Sequence, residues 1–112
     1  MPDPLPIVIS VQSVKDLFDR HEDFLLLDVR QPEEFETARI EGSCLIPMGE
    51  LGERLDELGD DLQRRIVVQC HHGGRSMQVT QALRSRGFEN VQNMEGGIDQ
   101  WSEQIDPNVP RY

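Results

Sequence analysis

Apolar residues gather in five short runs along this chain, and most of the stretches between them carry the three- and four-residue spacing of helices. Residues 7–9 are the first strand candidate. Ser10 or Ser13 then caps a helix in which Val14, Leu17 and Phe18 share a face. Residues 24–29 are almost uniformly apolar, as a strand covered on both sides requires, and Pro32 suits the first position of a short helix carrying Phe35. Leu45 and Ile46 make a brief third strand, after which Leu51, Leu55 and Leu58 predict a helix ended near Gly59. A fourth strand covers 66–69. Met77, Val79 and Leu83 then predict an amphipathic helix over 77–86, terminated by Gly87. Residues 91–93 form a fifth strand, Gly96 and Gly97 open a last short helix through Trp101, and Pro107 and Pro110 keep 105–112 extended.

Strands alternating with helices predict an α/β fold, with a five-stranded, mostly parallel sheet, helices on both faces and right-handed crossovers. A chain of 112 residues builds one such core, so residues 1–112 are expected to form a single domain. In such sheets chemistry collects at the carboxyl ends of the strands. The segment after the fourth strand and Asp28 to Arg30 after the second both lie at that edge, and meet there if the two strands are neighbours.

The loop after the fourth strand is Cys70, His71, His72, Gly73, Gly74, Arg75 and Ser76. A strand that enters a glycine-bearing turn and opens a helix leaves backbone N–H groups without intrahelical partners, and these favour negative charge. The helix dipole and Arg75 are expected to hold Cys70 as a thiolate well below the ordinary thiol pKa, which makes it the candidate nucleophile. Cys44 follows no such turn and is read as a packed core thiol. Three consecutive side chains from Cys70 to His72 cannot converge on one ion, so neither a metal nor another cofactor is expected. His71 and His72 are expected to line the pocket mouth and lend it partial positive charge. Arg75 either contacts a substrate anion or braces the loop on a carboxylate such as Asp28 or Glu95. Asp28 and Arg30 either support the pocket or pair with each other to fix the sheet edge.

Charge narrows the partners. With 21 acidic and 11 basic residues the formal net charge is −10, which argues against nucleic-acid and acidic-membrane binding. A small anion is still compatible with a local nest of N–H dipoles, because distant surface charge is screened over about 8 Å at physiological salt. Two cysteines make no disulfide framework, and Met1 to Pro4 lacks the basic and apolar character that opens a secretory leader, so a reducing cytoplasm is expected. No apolar run approaches the ~20 residues of a membrane span.

Four segments, LLDVRQPEEF from Leu26, IEGSCLIPM from Ile40, CHHGGRS from Cys70 and NMEGGIDQW from Asn93, together resemble the rhodanese-like sulfurtransferase family in order and spacing. The likeness runs from Ile7 to Tyr112. It implies a three-layer rhodanese-like fold and a ping-pong reaction needing no cofactor. Cys70 would accept a sulfane sulfur from thiosulfate or a persulfide, become a persulfide, and pass the sulfur to a thiol, cyanide or a protein acceptor. By the same resemblance the loop from His71 to Ser76 binds the anionic sulfur. Cysteine phosphatases have five residues between Cys and Arg where this chain has four, and the tighter ring suits a sulfur atom better than a phosphoryl group. Two departures stand out: Ala38 and Arg39 occupy the place of a Gly-His pair common in the family, and His71 replaces the Arg or Lys of many thiosulfate-using members. The alternative reading is a regulatory or sulfur-relay module that mainly docks a protein.

Overall fold

The computed structural model describes residues 5–112; Met1 to Pro4, read above for a leader, lie outside the described residues. Strands β1 (Val8–Ile9), β2 (Leu25–Asp28), β3 (Cys44–Leu45), β4 (Ile66–Gln69) and β5 (Val91–Met94) form one sheet in the order β1-β5-β4-β2-β3. Every pairing is parallel. The expected sheet is therefore present, and it is wholly rather than mostly parallel.

Alternation along the strands splits the core into two layers. Leu26, Val67 and Met94 face one side, where they meet α1 (Val11–Asp19) and α4 (Gly97–Gln104) through Val14, Leu17, Ile98 and Trp101. Leu27, Val68 and Val91 face the other side and pack on Val79 and Leu83 of α3 (Gly74–Ser85), with Leu51 and Leu58. Burial of both faces explains why the central strands read as continuous apolar runs. Ser10 caps α1 by accepting the Ser13 N–H at 3.1 Å. Pro32 is the first residue of α2 (Pro32–Thr37), whose Gln31 N–H donates to the Glu34 carboxylate at 3.0 Å.

Three local expectations change. The segment marked by Leu51, Leu55 and Leu58 is two 3-10 helices, Met48–Glu53 and Leu55–Leu58, separated at Arg54, rather than one α-helix. Gly49 and Gly52 each cost a helix about 1 kcal/mol, so the leucine spacing buries its side chains without sustaining α-helical bonding. Helix α3 starts at Gly74, three residues before the apolar periodicity, because its first turn is part of the cysteine loop itself. Residues 105–112 contain no helix or strand, but they are turned at 105–109 rather than extended throughout, with the Val109 N–H donating to the Asp106 carbonyl at 3.1 Å.

Candidate active site

The pairing of β2 with β4 puts Asp28 opposite Gln69, so the second strand's end lies beside the residue that precedes Cys70. Strand β5 flanks β4 on the other side. Gly73, with a positive φ of 118°, turns the chain into α3 and aims its N–H back at the cysteine. The Gly73 N–H donates to Cys70 Sγ at 3.1 Å and the Ser76 N–H at 3.4 Å, while Ser76 Oγ lies 3.3 Å from the sulfur. Cys70 is almost fully buried. Burial pushes its thiol up, but the Ser76 hydroxyl and the Ser76, Gly73 and His72 backbone donors outweigh it, and the net shift is below the ordinary value. The donors that surround the sulfur are thus neutral dipoles.

Arg75 does brace the loop, but on Glu34 rather than on Asp28 or Glu95. Its Nη1 and Nη2 donate to the two carboxylate oxygens at 2.7 and 2.9 Å. That ion pair, and further hydrogen bonds from Gln31 and Tyr112, hold Glu34 at about 2 against the pull of its own burial. Asp28 and Arg30 pair with each other, both completely buried, with Arg30 Nη2 2.6 Å from Asp28 Oδ2. The remaining guanidinium donors reach the Glu34 and Ala38 carbonyls at 3.2 and 2.6 Å and the Tyr112 hydroxyl at 2.9 Å. Such full satisfaction is what lets an ion pair remain in a core. Of the two roles foreseen for this pair, the geometry is that of a fixed sheet edge beneath the loop.

The rings of His71 and His72 lie with centroids 4.0 Å apart, and Tyr112 stacks on His71 at 3.9 Å and 6°. Burial and the neighbouring His72 lower the His71 pKa, which runs against the positive charge expected of that ring. Cys44 is half-buried against the layer that contains Leu27 and Leu51, in line with a packing thiol. Among the described residues no group of three or more His, Cys, Asp or Glu side chains is gathered to hold a metal ion. No helix among them is long and apolar enough to cross a membrane.

Two participants, Asn93 and Tyr112, escaped the sequence reading, and a third, Gly97, was foreseen only as opening the last helix. Asn93, at the end of β5, accepts the Ser76 hydroxyl on Oδ1 and donates from Nδ2 to the Gly73 carbonyl at 3.2 Å. Tyr112 ties the 105–112 segment to Arg30 and Glu34. Gly97 lets α4 abut the loop: the Ile98 N–H donates to the Cys70 carbonyl at 2.8 Å and the Asp99 N–H to that of His71 at 3.1 Å. These contacts join residues 12 or more positions apart, and only the Gly96-Gly97 pair left a mark in the sequence.

The sequence profile of the rhodanese-like domain matches residues 10–104. The chain is 37% identical over 109 residues to the adenylyltransferase and sulfurtransferase MOCS3-2 of Zea mays, covering 93% of itself and 23% of that protein. It is 39% identical over 89 residues to the chloroplastic rhodanese-like/PpiC domain-containing protein 12 of Arabidopsis thaliana, covering 78% of itself and 30% of that protein. The chain thus spans under a third of the length of these relatives. The human single-domain sulfurtransferase TSTD1 superposes with a TM-score of 0.79 at 27% identity, over 88% of this chain and 97% of that one.

Proposed function

The chain belongs to the rhodanese-like domain family, and from that premise we propose that it is a sulfurtransferase whose nucleophile is Cys70. The observation that carries this reading is the convergence of the Gly73 and Ser76 N–H groups and the Ser76 hydroxyl on one buried sulfur. Donors preset around an anion need no reorganisation when the charge forms. The Cys70 thiolate attacks the sulfane sulfur of the donor, and the donor's S–S bond breaks with its electron pair leaving on the remainder. A persulfide anion then rests against the amides of residues 72–76. An acceptor thiolate, cyanide or a protein thiol attacks the outer sulfur and returns the electron pair to Cys70. The transferred sulfur keeps its oxidation state, so the cycle needs no redox cofactor. One domain in a reducing compartment such as the cytoplasm suffices for this chemistry.

Intact-mass measurement after incubation with thiosulfate or a small organic persulfide tests the reading. A gain of one sulfur atom, removed by reductant and absent in Cys70→Ala, is the expected result. A well-folded wild-type protein that takes up no sulfur from either donor would favour the docking module instead.

A further inference from the structure

The sulfurtransferase reading leaves the donor open between a dianion such as thiosulfate and an organic persulfide, and the side chains around the loop treat the two differently. Arg75, Arg30 and Arg111, the arginines bonded to groups around the loop, each face a carboxylate, whereas Arg39 lies over the Phe35 ring at 5.1 Å. Arg75 is held by both oxygens of Glu34, and Glu34 is itself fixed by the Gln31 N–H at 3.0 Å and the Tyr112 hydroxyl at 2.7 Å. Arg30 is buried against Asp28. Arg111 contacts Asp99 at 3.0 Å and Glu103 at 2.8 Å.

The histidines are engaged as well. His71 lies against both His72 and Tyr112, and its Nε2 is buried without a hydrogen-bond partner, so protonation would leave an N–H donor unpaired. His72 is exposed and stands 3.8 Å from Asp99. The sulfur therefore sits among neutral dipoles and matched ion pairs, in a chain of net charge −10.

We propose that the donor is an organic persulfide, R–S–SH, rather than thiosulfate, and that Glu34 sets this preference by holding Arg75 away from the incoming anion. The proposal rests on the sulfurtransferase reading. A thiolate that attacks thiosulfate meets a doubly charged donor and expels sulfite, and the charge crowded at Sγ calls for a free cation that none of these three arginines supplies. The reacting sulfur group of an organic persulfide carries at most one charge, and any other charges of the donor lie away from the bond that breaks. Cys70 Sγ bonds to its outer sulfur, the old S–S bond breaks with its electron pair going to R–S, and the proton on the outer sulfur passes to R–S as the new persulfide ionises in the cradle. No oxidant or reductant is consumed.

Sulfur loading of Cys70 from glutathione persulfide and from thiosulfate, compared as kcat/KM, tests this. The wild-type protein is expected to favour the persulfide by at least about tenfold, and its thiosulfate rate to rise with added salt as repulsion is screened. Glu34→Gln keeps an oxygen for the Gln31 N–H and frees Arg75. It is expected to raise the thiosulfate-to-persulfide ratio by about tenfold, the order of one charge-assisted contact. A wild-type preference for thiosulfate, or a ratio unmoved by Glu34→Gln, would overturn the proposal while leaving sulfur transfer intact. Loading from neither donor would overturn the sulfurtransferase reading itself.

Discussion

Ser76 Oγ has one proton and three neighbours that accept it: Cys70 Sγ at 3.3 Å, the Gly73 carbonyl at 3.2 Å and Asn93 Oδ1. While Cys70 is a thiol its own S–H can point at Ser76, leaving the hydroxyl on Asn93; once it ionises, the hydroxyl gains by turning to the sulfur. Asn93 therefore tunes the cost of that turn, and through Gly73 it also holds the donor that bonds Sγ at 3.1 Å. Asn93→Ala removes the acceptor that competes with Sγ for the Ser76 hydroxyl and is expected to lower the midpoint of Cys70 alkylation by up to about one pH unit, the order of one net hydrogen bond of about 1 kcal/mol. A rise would mean that its hold on Gly73 dominates. Iodoacetamide rates measured against pH provide the check, with Cys44 as the internal reference. A midpoint unchanged within error would mean that Asn93 only fills space.

At the scale of elements, the loop is held from outside by α4. Gly97 has a φ of +59°, and a Cβ there would lie 2.4 Å from the Cys70 carbonyl oxygen and 2.5 Å from that of His71. No side chain fits without separating the turn from the loop, and the two N–H donors of α4 would move with it. Gly97→Ala is expected to cost about 1–3 kcal/mol from backbone strain alone, with more from the clash. It should also slow sulfur loading by displacing the Sγ donors. Gly52→Ala makes the comparison, because nothing lies within 4 Å of a Cβ at that position. Urea titration of the two variants should separate them clearly, and equal midpoints would refute the packing argument.

Across the whole molecule, Glu34 joins three distant parts of the chain: its own helix α2, the loop and α3 through Arg75, and the 105–112 segment through Tyr112. Its carboxyl is held at about 2, against an ordinary 4.5. A proton thus binds more weakly in the folded state, so the stabilisation is complete above pH 4.5 and is lost as pH falls toward about 2. Thermal unfolding followed from pH 6 to pH 2 should therefore show a loss of stability in that window that is smaller in Glu34→Gln. An identical acid response in both proteins would place the acid sensitivity elsewhere.

The five strands, the Ser10 cap, Pro32 at the head of α2 and Cys70 in an amide-lined turn were all legible in the chain, because each depends on neighbours within a few residues. Strand period, cap chemistry and the order of the four family segments are local properties. The leucine spacing over 51–58 misled because α-helices and pairs of 3-10 turns can bury the same side chains, and the difference lies in backbone bonding that glycine weakens. The partner of Arg75 was not local either: Glu34 is 41 positions away and meets it only because β2 and β4 are adjacent in the sheet. For the same reason Asn93, Tyr112 and the contact at Gly97 emerged only in three dimensions. Local sequence determined where the candidate nucleophile sits and which backbone donors face it. Tertiary structure decided which charges around that sulfur are already paired, since long-range pairing follows from strand order and packing, which residue spacing along the chain does not encode.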